Sequence, residues 1–88
     1  MGRVLITRLP AGNRILPHAD EGLYARRMTR YQVMLDCLPG NVFRCGNEEI
    51  SPVTGELFWF NNALEHEVVN NSVDDRIVMV VDCRIDEP

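Results

Sequence analysis

Residues 56–82, ELFWFNNALEHEVVNNSVDDRIVMVVD, decide the fold. Asn61-Asn62 and Asn70-Asn71 are turn formers, because their short amide side chains bond nearby backbone and tolerate bent conformations. They divide this region into strands at Glu56–Phe60, His66–Asn70 and Arg76–Ile85. Successive side chains of a strand point to opposite faces. In the last strand Ile77, Met79, Val81 and Cys83 therefore share one face, and Arg76, Val78, Val80 and Asp82 the other. A strand that is apolar on both sides is covered on both sides.

The rest of the chain continues the pattern. Strands are expected at Arg3–Leu9, Asn13–Pro17, Thr29–Cys37, Val42–Cys45 and Glu48–Ser51. The turn residues Pro10-Ala11-Gly12, Leu38-Pro39-Gly40-Asn41, Gly46-Asn47 and Ser51-Pro52-Val53-Thr54-Gly55 separate them. Arg3–Leu9 is also apolar on both faces, with Val4 and Ile6 against Leu5 and Leu9. Segment 21–28, EGLYARRM, reads as a loop, and no stretch has the period of an amphipathic helix. Short, closely spaced strands of this kind build an all-β sandwich or jelly-roll barrel.

The 88 residues make one domain, 45% hydrophobic and 25% charged, far from the disordered regime. The net charge of −4 gives no reason to expect nucleic acid or an anionic membrane surface as a partner. All nine basic residues are Arg, the residue whose planar fork best grips a carboxylate. Cys37, Cys45 and Cys83 are odd in number and unrelated in spacing, which suggests small buried residues in a reducing compartment. No apolar stretch is long enough to span a bilayer, and the N-terminus lacks the features of a signal peptide. A cytoplasmic location is the expectation.

The chemistry centres on the two histidines. His18 opens a His-x-Asp triplet with Asp20, and His66 follows in a later strand. Two imidazoles and one carboxylate make the facial triad of non-haem iron(II) oxygenases. His-x-Asp is also found in surface turns, and a lone strand His is often structural. Gly12, six residues before His18, and the H-x-x-x-N run from His66 to Asn70 echo the metal-binding patterns of cupins. Arg76 opens an apolar strand, and if it faces a barrel interior it needs an anion. Asp82 would serve, and so would a bound dicarboxylate. Arg30 and Gln32 place two polar side chains on one face of an otherwise apolar strand, where Arg30 also fits a surface salt bridge. Asn70, Glu65 and Glu67 flank the metal strand as outer partners or as solvent-facing residues.

PAGNRILPHAD, the RYQVML strand and above all residues 56–82 resemble the aspartyl/asparaginyl β-hydroxylase family of 2-oxoglutarate oxygenases. The resemblance spans about Arg3 to the C-terminus. Its specific part is F-x5-H-E-V-x-N, an Arg ten residues after the His, then an apolar strand ending in Asp. It implies a double-stranded β-helix, the jelly-roll, cupin-like barrel. It further implies an Fe(II)- and 2-oxoglutarate-dependent dioxygenase that uses O2 to hydroxylate a C–H bond of a peptide side chain or small molecule, yielding succinate and CO2. His18 and His66 would be iron ligands, with Asp20 at the carboxylate position where the family's animal enzymes have Gly. Arg76 would pair with the distal carboxylate of 2-oxoglutarate, assisted by Thr7. Arg30 and Gln32 match an Arg-x-His pair at the other end of the cosubstrate, with Gln32 in place of His. The helical region that precedes the barrel in larger members has no counterpart here.

Two other functions fit the same residues. One is a cupin-type metalloprotein that binds or isomerises a small carboxylate without O2. The other is a binding module that keeps only the fold. The apolar outer face of the last strand predicts a homodimer, since each such side chain left in water forgoes roughly 1.5–3 kcal/mol.

Overall fold

The computed structural model describes residues 3–19, 28–61 and 63–84. The described residues form eight strands and no helix. They are β1 (Arg3–Leu9), β2 (Arg14–His18), β3 (Met28–Asp36), β4 (Asn41–Cys45), β5 (Glu48–Ile50), β6 (Leu57–Phe60), β7 (His66–Asn70) and β8 (Arg76–Arg84). The expected boundaries hold to within a residue or so. The expected loop at 21–28 lies outside the described residues, apart from Met28 at the start of β3.

The strands form two four-stranded antiparallel sheets, ordered β1-β8-β3-β6 and β2-β7-β4-β5. Facing sheets with this interleaved order make the all-β, cupin-like jelly roll that the pattern predicts. Gly46 turns the β4–β5 hairpin at a φ of 59°, a conformation that costs glycine least. Gly40 has a φ of 109°, and a Cβ there would meet the Asn71 carbonyl at 3.0 Å. That glycine lets the turn before β4 pack against the β7–β8 turn.

Alternation in β8 is as expected: Arg76, Val78, Val80 and Asp82 are buried, while Ile77, Met79 and Val81 are half-buried outside. One core cluster holds Met34, Cys37, Val78 and Val80, and a second holds Phe43, Phe60 and Val68. Phe58 packs against both and joins them. β1 departs from the expectation of two covered faces. Its residues from Arg3 to Arg8 are exposed on both faces, and of this strand only Leu9 packs against a core cluster. The cysteines also divide: Cys37 is buried, Cys45 is half-buried, and Cys83 is exposed on the outer face of β8 rather than buried.

Candidate metal and anion site

His18 ends β2 and His66 begins β7, and the two stand opposite one another in the ladder. A β-bulge produces that pairing. Arg14 and Ile15 pair with Val69 and Val68, and the register then shifts before His18 meets His66. Without the shift, alternation from the Ile15–Val68 pair would turn His18 to the other face; a bulge re-aims the following side chain. Pro17 sits within the irregularity, where its missing N–H costs nothing because β2 is an edge strand.

The ring centroids of His18 and His66 lie 4.4 Å apart. Each ring is anchored alike. Nδ1–H of His18 donates to the Leu16 carbonyl at 2.9 Å, and that of His66 to the Leu64 carbonyl at 2.8 Å. A carbonyl can only accept, so Nδ1 carries the proton in the neutral ring and Nε2 the lone pair. Fixing the tautomer through the far nitrogen is how proteins present histidine to a metal. The ring pair therefore suits a borderline metal such as iron(II). Among the described residues no three His, Cys, Asp or Glu side chains gather closely enough to hold a metal ion. Asp20, the expected third ligand, lies outside the described residues.

His66 is buried against an aromatic wall, with Phe60 at 4.9 Å and Phe43 at 6.3 Å between centroids. Cys45 is its partner in β4. Alternation along Val42–Cys45 would have put Phe43 and Cys45 on one inner face, a signal passed over at the level of sequence. On the outer face Arg44 donates to Glu67 at 2.6 Å and to Glu65 at 3.2 Å, and Arg14 donates to Glu67 at 3.3 Å. The glutamates beside His66 are thus paired by arginines instead of standing alone in solvent. Arg44 holds the Glu67 carboxyl below its ordinary pKa.

Arg76 is 3% exposed. Nη2 donates to the Gln32 side-chain oxygen at 3.1 Å, while Nε is buried without a partner. Among the described residues Arg76 forms no ion pair. Burial pulls its pKa down, and the neighbouring Cys37 opposes that shift. Cys37 does not supply the missing charge, because burial raises its thiol pKa and Sγ–H donates to the Pro52 carbonyl at 3.1 Å. Asp82 does not supply it either. Its oxygens accept two bonds from Arg30, at 2.7 and 2.9 Å, and one from Arg3 at 3.2 Å. Arg30 is therefore committed to a protein carboxylate in the barrel wall.

Thr7 pairs with Val78, two pairs along from the Leu9–Arg76 pair and so on the same face of the sheet, and is exposed. Asn70 is not an outer partner of His66. Its amide donates to the Leu9 and Asp74 carbonyls, and its oxygen accepts from Ser72, so it ties the β7–β8 turn to the end of β1. Four residue steps along β7 separate it from His66, about 13 Å at ~3.3 Å per residue.

Comparison with known proteins bears on the family and the fold. The family model described as aspartyl/asparaginyl beta-hydroxylase matches residues 1–85. No curated protein matches the sequence. A cupin protein from Bacteroides fragilis superposes with a TM-score of 0.75 at 14% identity, covering 99% of this chain and 69% of that one. A predicted oxalate decarboxylase from Thermotoga maritima gives 0.73 at 19% identity, over 96% and 68%. The non-heme monooxygenase ThoJ, in a nickel complex, gives 0.67 at 17% identity, over 90% and 41%. At these identities the structural likenesses speak for the fold alone.

Proposed function

This chain belongs to the aspartyl/asparaginyl β-hydroxylase family, and from that premise we propose that it is an Fe(II)- and 2-oxoglutarate-dependent dioxygenase that hydroxylates a C–H bond of a peptide side chain or small molecule. The observation that carries the reading is the buried Arg76 guanidinium, which lacks an anion among the described residues. A buried charge that has lost its partner costs about 3–5 kcal/mol. Such a group is retained where a ligand supplies the partner.

His18 and His66 would hold the metal through Nε2, with Asp20 as the carboxylate. Iron(II), when bound with 2-oxoglutarate and O2, supplies the oxidising chemistry and leaves succinate and CO2 as co-products. Arg76 would receive the distal carboxylate in a bidentate fork. Gln32 orients Arg76 by accepting from Nη2, and Thr7 offers a hydroxyl on the same face. Arg30 shapes the far end while bonded to Asp82. Phe43 and Phe60 keep water from the buried side of His66. In the reducing cytoplasm the three cysteines would stay free, as they are here. Among the described residues no helix is long and apolar enough to cross a membrane.

We also propose that the chain works as a homodimer through the outer face of the β1-β8-β3-β6 sheet. Two register rows cross it: Val4, Val81, Tyr31, Trp59 and Ile6, Met79, Val33, Leu57. The end members of both rows are exposed. Together the rows offer on the order of 600 Å², at the top of what a monomer leaves open (~300–600 Å²) and approaching the ~800 Å² per partner of a standard interface.

The deciding experiment is an assay of succinate and CO2 from 2-oxoglutarate with iron and ascorbate. Wild type should turn the cosubstrate over and Arg76→Ala should not. Metal-loaded protein that binds a small carboxylate yet consumes no O2 would replace this reading with that of a cupin-type metalloprotein.

A further inference from the structure

Between the β4–β5 hairpin and β6 lies a cavity of ≈ 90 Å³ to which the chemistry above gives no task. Phe43, Ile50, Phe58 and Phe60 wall it, and Trp59 stands at its rim. A second hollow of ≈ 380 Å³ shares Ile50 and Phe58 with it and continues past Pro52 and Leu57. The phenylalanine rings form a continuous aromatic surface: Phe43 lies 4.7 Å from Phe60 and 5.1 Å from Phe58. The cavity borders the histidine pair, since Phe60 and Phe43 also face His66.

One charged side chain lines the cavity, Glu48, which pairs with Cys45 across the hairpin. Arg30 stands opposite Phe60 in the neighbouring ladder, but its guanidinium is bonded to Asp82. Aromatic faces attract cations through the negative face of the ring, and one carboxylate completes the recognition of an organic ammonium. A substrate carboxylate would instead meet the like charge of Glu48. Size narrows the choice further. At ~30 Å³ per water, 90 Å³ holds about three small groups, enough for an ammonium and a methylene or two.

We propose that this cavity binds an aliphatic ammonium, with the stem carrying the C–H group presented beside His66. It is the substrate pocket of the proposed oxygenase, and the inference rests on that reading. A lysine-type side chain and a free alkylamine share this chemistry.

Trp59 is the single tryptophan, so its emission reports on the rim. Wild type is titrated with n-butylammonium, a Gly-Lys-Gly peptide, n-butanol and butanoate, with and without iron and 2-oxoglutarate. At least one ammonium ligand should give a saturable change, about tenfold or more tighter than butanol, with butanoate weakest. Tighter binding of the peptide identifies a protein substrate, and tighter binding of butylammonium a small amine. Glu48 is exposed, so Glu48→Gln should fold normally and lose the preference over butanol. Failure of both ammonium ligands to saturate would overturn the assignment, as would butanol binding equally well or Glu48→Gln keeping the preference. The readout is binding, so the two readings fail separately. Protein that binds butylammonium without decarboxylating 2-oxoglutarate removes only the oxygenase reading. Protein that decarboxylates and ignores ammonium removes only the pocket.

Discussion

Arg30 and Asp82 face one another across the β3–β8 ladder and are joined by two hydrogen bonds, at 2.7 and 2.9 Å. That pairing commits Asp82, six residues along β8 from Arg76, to the barrel wall. Among the described residues the barrel thus holds one arginine, Arg30, paired with a protein carboxylate and another, Arg76, buried without one.

Arg76→Met should separate stability from binding. Replacing a buried, unpaired cation with an apolar side chain of similar length should raise the unliganded protein's stability by about 1–3 kcal/mol. The same change should weaken 2-oxoglutarate binding by about 2–5 kcal/mol, thirtyfold or more. Thermal melts with and without 2-oxoglutarate test both halves. A variant that is still stabilised by the ligand would take Arg76 out of the site.

The two histidines should respond differently to truncation. His18 is exposed and His66 is buried against Phe60. His18→Ala should leave thermal stability unchanged, whereas His66→Ala should lose about 2 kcal/mol from the cavity it opens. Both should lower iron(II) affinity by more than about 100-fold, since even outer-shell partners of a metal site are worth 10–100-fold. Calorimetric metal titration checks this, and unchanged affinity in either variant would break the pair.

Acid should loosen the strand that carries His66. Glu67 has its pKa lowered from the ordinary 4.5 by Arg44. A carboxyl depressed in the folded state adds stability above its unfolded pKa, and that stability is lost as pH falls through the folded value. Wild type should therefore lose more stability than Glu67→Gln between about pH 5 and 3. Parallel pH–stability curves for the two proteins would show that the pair contributes nothing.

Charge on the outer face should separate the protomers. Ile6 and Leu57 end one register row and are exposed. Ile6→Glu or Leu57→Glu should yield folded monomers where wild type sediments as a dimer at micromolar concentration. Sedimentation equilibrium across a dilution series reads the difference; a monomeric wild type would mean that the face is not an interface between copies.

Much of the barrel is legible along the chain. The turn formers cut it at the right places, and the alternation of Arg76–Asp82 sorts inner from outer residues correctly. What escapes is non-local. Cross-strand register decides that Asp82 meets Arg30 and that Glu67 meets Arg44, and local spacing carries no information about either pairing. The exposed inner face of β1 depends on what packs opposite it, which spacing along the chain does not encode. Asn70 looked like a partner of the metal strand because of its spacing from His66; its amide is consumed by the turn it begins. The aromatic cavity went unread because its walls come from three strands.

The bulge in β2 makes residue count, rather than residue identity, the guardian of the ligand pair. Between Ile15 and His18 the chain spends one residue more than its partner strand. Adding one more residue there, with the bulge unchanged, would keep every proposed ligand in the sequence and yet turn His18 to the other face of the strand. Relatives that retain both histidines but carry one residue more in this stretch would be metal-free shells, and an inventory of ligand residues would not tell them apart from active members.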